Sequence, residues 1–372
     1  MAPEIREVKT RKDLQRFIFL PAKINAGSDC WVPPMYRDEF VFFDPKKNKS
    51  FSYSDTILLL AFRKHRPVGR IMGLINRRYN EIHKEDHARF EFFDCWEDEE
   101  VAHALIHPVE EWAIKQGMTK IVGPLGFSDK DPQGFLIEGF EHRAILATIW
   151  NQEYMNRLIT AEGYRKKVDL NDYLIEIPDE IPELYRRVSR MVLKKTESRV
   201  VEFTTKKELK PYIIPVLRVM NECYSSIYGF VPLTDQEMVE YANRYLPVLD
   251  PHFVKVTENR HGVSGFVISM PDLSEGLQKA SGKLFPFGIL KILSCMKRSR
   301  HLTLLLGAIK PKYQGLGLDA LMAVKLLETA EQRNMQTIES HLILETNHKM
   351  IGEILKAGGK IHKRFRIYEK DL

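Results

Sequence analysis

The spacing of apolar residues along the chain changes repeatedly between two patterns. Short apolar runs such as 58–62 and 302–309 are typical of buried strands, whereas residues 318–330 place apolar side chains three and four positions apart, as a helix does. No apolar run approaches the roughly 20 residues that a membrane-spanning helix needs. The pattern therefore predicts alternating strands and helices and no membrane span.

The same pattern returns after 196 residues, which predicts an internal duplication. Three pairs of residues share this offset and occupy matching places in the pattern: Gly69 and Gly265, Asn151 and Asn347, Gly163 and Gly359. Asn and Gly commonly mark helix ends in unrelated proteins, which is the alternative explanation. The matching order favours the duplication. In each half, Asn151 or Asn347 would begin a helix, and Gly163 or Gly359 would end it.

Two prolines in residues 178–182 would break either regular structure, so we expect the linker there. The predicted domains are residues 1–178 and 179–372. Between the two halves, Met118 and Met335 differ by 217 rather than 196, so the first half carries 21 more residues after this point. The added segment, residues 123–143, is rich in Gly and Pro and is expected to form a lid or a pocket wall.

Residues 310–319 carry the strongest functional signal. A strand-like run precedes them, glycines 315 and 317 lie within them, and a helical pattern follows. Backbone N–H groups of such a turn can point together at one anion. At the offset of 217, residues 97–100 of the first half are Glu, Asp, Glu and Glu, which would repel a phosphate. We therefore expect an anion site in the second half only.

Composition narrows the class of protein less sharply. The 372 residues carry a net charge of +6, a mild excess that suits an anionic small molecule or a solvated basic surface. The sequence contains no stripe of Arg and Lys interleaved with aromatic residues, the pattern that would predict nucleic-acid binding. The four cysteines are far apart in sequence and lack metal-ligand spacing, so we expect free thiols, no metal and a cytoplasmic location.

The second half resembles the GNAT (Gcn5-related N-acetyltransferase) superfamily. That family reads Gln/Arg-x-x-Gly-x-Gly/Ala between a strand and a helix, and this chain has Gln314-x-x-Gly317-x-Asp319, followed by Asn347 at the next helix start. The whole chain also looks like a group of bacterial tandem-GNAT proteins. The residues that carry this wider resemblance are 31–34, 68–71, 123–124, 127–128 and 228–232.

The resemblance implies an α/β (α+β) protein of two tandem domains, each with a mixed, mainly antiparallel sheet flanked by helices. It implies acetyl-CoA or another acyl-CoA as co-substrate, with loop amides on the pyrophosphate and one strand beside the pantetheine arm. The cofactor-binding residues implied are Gly307, Ala308, Ile309, Gln314, Gly315, Leu316, Gly317, Leu318, Asp319 and Asn347.

Two residues depart from the family pattern. Asp319 replaces the last Gly or Ala of the motif, where its carboxylate would either cap the helix or lie near the pyrophosphate. Ile354 lies seven residues after Asn347, where family members often place the tyrosine that protonates the leaving thiolate. Tyr313 and Tyr368 are weak substitutes for this acid.

Catalytic candidates lie near the end of the second predicted strand of the site. Glu339, His341 and Glu345 are the expected bases, and alternation along a strand would put the first two on one face. Each could equally serve a structural role.

The acceptor side is expected in an aromatic stretch of the second half. Its predicted substrate residues are Asn221, Tyr224, Tyr228 and Phe230. The apolar segment 284–290 would line a pocket for a longer acyl chain or, as we favour, pack in the core. Basic residues could neutralise the 3′-phosphate of coenzyme A or form a solvated face: Lys297, Arg298, Arg300, His301, Lys310 and Lys312.

The leading hypothesis from sequence is an acyl-CoA-dependent N-acyltransferase that acts on a small-molecule amine, with acetyl transfer as the first expectation and a long acyl chain as a variant. Two alternatives stay open: a non-catalytic CoA-binding sensor, and a Fem-like aminoacyl transferase. A homodimer is compatible with the sequence.

Overall fold

A computed structural model describes residues 2–146, 148–195 and 197–372. Strands and helices alternate along these residues, as the apolar pattern predicts. The strands are β1 Glu4–Glu7, β2 Ser54–Arg63, β3 Arg66–Asn76, β4 His87–Cys95, β5 Lys120–Gly123, β6 Phe135–Glu138, β7 Arg165–Glu176, β8 Arg199–Glu202, β9 Val254–Asn259, β10 Gly262–Pro271, β11 His301–Ile309, β12 Thr337–Ser340, β13 Ile343–Leu344 and β14 Lys360–Asp371.

The helices cover both faces of the sheet that these strands form. They are α1 Arg11–Ile24, α2 Tyr36–Phe42, α3 Arg77–His83, α4 Glu99–Lys115, α5 Tyr154–Ala161, α6 Glu183–Lys195, α7 Lys206–Leu209, α8 Ile213–Tyr224, α9 Asp235–Tyr245, α10 Ser274–Lys279, α11 Gly288–Arg298, α12 Leu318–Gln332 and α13 His348–Lys356. The predicted mixed, mainly antiparallel sheet flanked by helices is therefore confirmed.

The strands of both halves join in one continuous sheet, in the order β1-β2-β3-β4-β5-β14-β7-β12-β11-β10-β9-β8. Each half gives its last long strand to the other half. β14 lies against β5 of the first half, and β7 lies against β12 of the second. The linker after residue 178 therefore joins two units that already share their central strands.

The exchanged strands β7 and β14 pair with each other around an approximate two-fold axis. Leu170 lies opposite Phe365, and Asp169 lies opposite Arg366. At the offset of 196, Leu170 corresponds to Arg366 and Asp169 to Phe365, so the two pairs are related by the axis. Arg366 binds the Asp169 carboxylate through two hydrogen bonds, of 2.7 and 3.0 Å. This symmetry is what the offset of 196 residues reflects.

One element of the predicted repeat differs between the halves. Asn347 caps α13, because its side chain accepts a hydrogen bond from the Met350 amide at 3.2 Å. Asn151 does not begin a helix, since α5 starts at Tyr154. Its buried side chain instead accepts a hydrogen bond from the Leu136 amide at 2.7 Å and so fixes β6.

Candidate functional site

A large cavity occupies the second half, between the sheet and helices α8, α9, α12 and α13. Its volume is about 1600 Å³, above the range of about 300–1,000 Å³ that is typical of small-molecule sites. Most of its wall is apolar, so it suits a ligand with a long hydrocarbon part. Apolar lining residues include Val216, Leu217, Met220, Leu246, Leu249, Val254, Val256, Phe266, Leu304, Leu306, Leu326, Ile338, Ile343, Met350 and Ile354.

The cavity reaches the place where β11 and β12 separate. These strands pair in parallel only from His301 with Thr337 to Leu304 with Ser340. The His341 amide makes one further hydrogen bond, of 2.8 Å, to the Leu304 carbonyl. Beyond it β12 has ended, while β11 continues to Ile309 along the cavity. The remaining edge of β11 can therefore pair with an extended ligand.

The loop that follows β11, residues 310–317, has the geometry of an anion site. Gly315 and Gly317 have φ angles of +74° and +86°, which residues with a Cβ rarely adopt. Gly317 stands at the N-cap of α12 and has no side chain to satisfy the first amides of the helix. A negatively charged ligand is favoured there by those amides and by the helix dipole.

Most of the predicted cofactor-binding residues reach the cavity wall: Gly307, Ala308, Ile309, Gln314, Gly315, Gly317, Asp319 and Asn347. Two side chains do not. Leu316 is 47% exposed to solvent, and Leu318 is fully buried beneath the loop. Asp319 lies in the first turn of α12 and does not cap the helix, because the cap position is Gly317.

Helix α6 packs directly on the anion loop. A Cβ at Gly317 would lie 2.6 Å from Val192 Cγ2 and 3.1 Å from Val188 Cγ1. Gly317 therefore serves both the loop conformation and the close approach of this helix. By contrast, a Cβ at Gly315 would have no heavy atom within 4 Å.

Tyr224 is positioned at the point where the strands separate. Its hydroxyl donates to the Gly307 carbonyl at 3.0 Å and accepts from the Gly307 amide at 3.3 Å. Burial raises the pKa of this hydroxyl well above its usual value near 10, so the group stays protonated and can donate. The sequence predicted Tyr224 as an acceptor-side residue, without its contact to the predicted thioester position.

The three predicted bases lie in different surroundings. His341 lines the cavity. Glu345 is held structurally, since it binds Lys166 Nζ at 2.8 Å and accepts from the Asp169 amide at 3.1 Å. Glu339 forms an ion pair with Lys363. Glu339 lies within β12, and His341 directly follows Ser340, the last residue of that strand.

Lys363, Asp172 and Glu339 form a buried ionic cluster between the halves. Lys363 Nζ lies 3.3 Å from Asp172 Oδ2, and both of these side chains are almost fully buried. Burial alone would lower the pKa of Lys363, but the two carboxylates outweigh it and raise that pKa overall. Burial and the charge of Glu339 raise the pKa of Asp172. The cluster has the form of a structural ion-pair network.

The other tyrosines considered for the missing acid are less well placed. Tyr368 is buried and donates to Asn156 Oδ1 at 2.9 Å in the first half. Tyr313 lies in the anion loop, 3.5 Å from Asn259 Oδ1. Ile354, at the position of the family tyrosine, is a buried part of the cavity wall.

The four residues predicted for the acceptor side occupy two kinds of position. Tyr224 and Tyr228 line the cavity. Asn221 instead brackets a turn, with hydrogen bonds of 2.7 and 3.0 Å to the backbone of Leu233. Phe230 is buried in the core at 1% exposure, beneath the ammonium of Lys130.

The loop 123–143 of the first half forms part of the cavity wall, as its composition predicts. Asp129, Lys130 and Gln133 line the cavity. The Asp129 amide donates to the Gly229 carbonyl at 3.2 Å, and Lys130 Nζ donates to the Val231 carbonyl at 2.8 Å. Sequence reasoning found the loop but missed these residues, because their pairing with the second half is long-range.

The segment 284–290 was wrongly predicted to pack in the core. Phe285 and Phe287 are 70% and 67% exposed, and Leu290 is 62% exposed. None of these three lines the large cavity. Only Leu284 of the apolar side chains turns inward, against a small cluster that includes Ile292.

Comparison with known proteins places this geometry in a fold. No protein-family model matches the chain. In structure it is similar to a tandem GNAT protein from the clavulanic acid biosynthesis pathway, with a TM-score of 0.55, 12% identity, and 99% of this chain and 98% of that chain covered. A GCN5-related N-acetyltransferase from Sphaerobacter thermophilus gives a TM-score of 0.53 at 12% identity, covering 99% and 95% of the two chains. The chain has the tandem GNAT fold.

Two curated proteins are similar to this GNAT-fold chain in sequence over almost its whole length. One is named Bacterial ceramide synthase, from Caulobacter vibrioides, and is 28% identical over 98% of this chain and 96% of its own. The other is Protein YghO from Escherichia coli, 26% identical over 99% of this chain and 95% of its own.

The first GNAT half lacks the anion loop of the second. Three residues, 96–98, join β4 to α4, whereas eight residues, 310–317, join β11 to α12. Asp98 caps α4 by accepting from the Val101 amide at 3.2 Å. Glu97 and Glu99 bind Arg157 at 2.9 and 2.5 Å, so these acids make salt bridges where the second half has its loop.

Two kinds of feature are absent from the part of the chain that the structure describes. No group of three or more His, Cys, Asp or Glu side chains within it is arranged to hold a metal ion. No helix within residues 2–146, 148–195 or 197–372 has the length and apolar character needed to cross a bilayer.

Proposed function

We propose that the protein is an acyl-CoA-dependent N-acyltransferase that transfers a long acyl chain to the amine of an acceptor with its own hydrocarbon chain. The observation that carries this proposal is the cavity of about 1600 Å³ with a mainly apolar wall, which adjoins an anion loop. Acetyl-CoA would leave the apolar part of this volume beyond the cofactor without contacts, whereas two hydrocarbon chains would use it. The relative named Bacterial ceramide synthase supports the same chemistry, because a ceramide is the amide of a fatty acid and a long-chain amine.

The cofactor end of the cavity suits acyl-CoA. The anion loop offers the pyrophosphate the amides of residues 315–319, at a helix N-terminus. The edge of β11 from Gly307 to Ile309 lies beside the expected path of the pantetheine arm, and both backbone groups of Gly307 are bound by the Tyr224 hydroxyl. With the arm in this position, we expect the thioester beside Gly307, three residues beyond the last pair of β11 with β12.

Two side chains near this point can serve the reaction. His341 lines the cavity and is our proposed base for the acceptor ammonium. His341 passes the ammonium proton to solvent, and the neutral amine attacks the thioester carbon. The carbon–sulfur bond then breaks, the new amide nitrogen releases its extra proton to solvent, and the thiolate takes up one proton from a donor that solvent reprotonates. Tyr224 is our proposed donor of that proton, since its hydroxyl already lies at Gly307 and its raised pKa keeps it protonated.

The first half contributes to the acceptor side. Asp129 and Gln133 bring polar groups into a mainly apolar cavity, and Gln133 Nε2 donates to the Asp129 carbonyl at 3.2 Å. The Asp129 carboxylate is paired with Lys130 at 3.1 Å. We propose that this loop orients the polar head of the acceptor, which gives the half without an anion loop a part in substrate choice.

Turnover with acyl donors of different length tests the proposal. Purified protein is supplied with palmitoyl-CoA or acetyl-CoA and a long-chain amino alcohol; thiol release and the amide product are measured. We expect kcat/KM for palmitoyl-CoA to exceed that for acetyl-CoA by at least 100-fold. The reverse preference would overturn the long-chain assignment. Acyl-CoA binding without turnover would instead favour the sensor alternative, for which Ile354 argues.

Tyr224→Phe tests the proposed acid. Removal of the hydroxyl should lower kcat about tenfold or more with little change in KM, as expected for a group that acts in the transition state. Tyr228→Phe is the matched control, because Tyr228 lines the same cavity and its ring lies beneath the Lys167 ammonium. Equal losses in the two variants would contradict the role given to Tyr224.

A further inference from the structure

A second apolar feature lies on the outer surface, at helix α11 and the loop before it. Its members share high exposure, and we refer to them as the α11 surface: Phe285 70%, Phe287 67%, Ile289 44%, Leu290 62% and Leu293 43%. Large apolar side chains scattered singly on a surface are ordinary, but a contiguous group of five is not. Such patches mark contacts with a protein or a membrane.

The exposure of these residues does not result from poor packing of α11 against the core. The inward side of α11 is complete, with Ile292 and Cys295 buried at 2% and 5% exposure. Phe287, Leu290 and Leu293 follow one another at three-residue spacing on the other side. The helix therefore has an apolar side for the core and a second apolar side that faces solvent.

Basic residues flank this surface in sequence, and acidic residues are absent from the same stretch. Between Glu275 and Asp319 there is no Asp or Glu, while eight positions are Lys or Arg: Lys279, Lys283, Lys291, Lys297, Arg298, Arg300, Lys310 and Lys312. Those nearest in sequence to the α11 surface, from Lys283 to Arg300, are exposed. Exposed aromatic residues together with basic residues are typical of helices that lie on a membrane surface.

We propose that the α11 surface docks on the anionic face of a lipid bilayer, with Phe285 and Phe287 inserted among the headgroups. Charge decides between this occupant and a second copy of the chain. Two copies that met through this surface would bring two sets of basic residues together, whereas protein interfaces are depleted of lysine at their core. An anionic bilayer supplies the opposite charge as well as an apolar interior.

The position of this surface gives the docking a consequence for the cavity. Leu284 and Met296, on the inner side of the same segment, pack in one cluster with Leu146, Leu249 and Leu305. The last three also line the cavity. Docking would therefore hold a wall of the cavity at the membrane, where long-chain substrates are dissolved. Only this consequence rests on the proposed function; the docking itself does not.

Vesicle sedimentation tests the docking without any substrate. The full chain is mixed with sucrose-loaded vesicles of phosphatidylcholine alone or with 40% phosphatidylglycerol, at low and high salt. We expect binding to the anionic vesicles, weaker binding at high salt, and little binding to the neutral ones. Phe285→Ser with Phe287→Ser should lower the partition coefficient at least tenfold, and Lys297→Gln with Arg300→Gln should lower it about tenfold or more.

Matched controls remove similar groups elsewhere. Ile114→Ser with Leu355→Ser removes two side chains that are 54% and 56% exposed on other helices. Lys9→Gln with Lys115→Gln removes two charges whose side chains are 72% and 74% exposed. Both controls should bind as the parent does, and thermal unfolding checks that every variant folds.

Three results would overturn the docking. The first is no binding to anionic vesicles at millimolar lipid. The second is equal loss of binding in the α11 variants and their controls. The third is a dimer that Phe285→Ser with Phe287→Ser converts to a monomer without vesicle binding, which would assign the surface to a second copy. Acyl transfer to a detergent-solubilised acceptor would be unaffected by these outcomes, so failure of the docking and of the proposed function can be told apart.

Discussion

Strands β4 and β11 occupy equivalent positions in the two halves. The residue two positions before the end of each strand has different surroundings in the two halves. Phe93 stands there in β4 and Gly307 in β11. Phe93 is buried in a group of rings that we call the aromatic plug: Phe90, Phe93, Phe135, Tyr164 and Tyr368. Gly307 has no side chain and borders the cavity.

This difference shows how one fold can serve two purposes. In both halves the parallel pairing of two strands stops early and leaves a gap, after Arg89 with Val122 in the first and Leu304 with Ser340 in the second. The first half fills its gap with rings, which stabilises the fold. The second half leaves its gap open, which gives up packing contacts to make room for a ligand.

The largest expected effect is on stability when the aromatic plug is opened. Phe93→Ala should lower the free energy of unfolding by about 3–5 kcal/mol, because it leaves a void in a filled core. Leu306→Ala should cost only about 1 kcal/mol, because Leu306 already borders the cavity and has fewer neighbours to lose. Urea denaturation measures both. Similar costs would mean that the second half is as tightly packed as the first.

The converse change fills the gap of the second half. Gly307→Phe should weaken palmitoyl-CoA binding at least 100-fold, or about 2.7 kcal/mol, by imitating Phe93. The backbone accepts a side chain there, since a Cβ would lie 3.7 Å from its nearest neighbour, the Phe266 carbonyl oxygen. Isothermal titration calorimetry gives the affinity, with Gly307→Ala as the control expected to stay within threefold. Unchanged binding by Gly307→Phe would place the ligand elsewhere.

The charge contrast between the helix starts can be tested at Gly315. Asp and Asn accept a positive φ better than most residues and have the same shape, so Gly315→Asp and Gly315→Asn differ mainly in charge. A new side chain has room, because no heavy atom lies within 4 Å of the Cβ position. Gly315→Asp should bind acyl-CoA about tenfold more weakly than Gly315→Asn, a difference that high salt should reduce. Equal affinities would argue against a pyrophosphate in the loop.

The smallest expected effect concerns the contact between the halves at His362. This side chain of β14 stacks on His142 of the loop 123–143, with ring centroids 3.8 Å apart. The pKa of His362 is lowered to about 4, chiefly by burial; the charge of Glu339 opposes this shift, and Lys363 and His142 add to it. Because the folded pKa lies below the unfolded value of about 6.5, stability is present above pH 6.5 and is lost as the pH falls toward 4.

The expected loss at His362 between pH 7 and pH 5 is about 1 kcal/mol, reduced for the partial exposure of the ring. His362→Gln should remove this part of the pH dependence of the urea midpoint, while His348→Gln, at an exposed position, is the control expected to retain it. A midpoint that falls equally in all three proteins would show that other groups control stability in this range.

Local signals in the sequence predicted much of the site. The strand, two glycines and helix at residues 302–330 predict the anion loop, because a positive φ and a free helix N-terminus follow from neighbouring residues. Asn347 likewise caps its helix through a residue three positions away. The offset of 196 residues predicts the repeat for the same reason, since each half keeps its own local pattern.

Contacts between distant residues could not be predicted in this way. The acidic Glu339 gives no sign in sequence that its partner is Lys363, and Tyr224 gives none that its hydroxyl meets Gly307, 83 residues away. The exposed Phe285 and Phe287 read as core residues because apolar side chains are usually buried. The exchange of β7 and β14 was missed because either strand would satisfy the pattern of its own half.

The exchange of β7 and β14 has a consequence for folding during translation. β5 and β7 are made early, but β14, which lies between them in the sheet, is made after every other strand. Until the second half has been translated, the edges of β5 and β7 that pair with β14 stay unpaired. Unpaired strand edges are recognised by chaperones and proteases. The first half also cannot be deleted without cost, because β7 is the only neighbour of β12 on that side of the described sheet. The two halves therefore depend on each other for a complete sheet, although their helix starts differ.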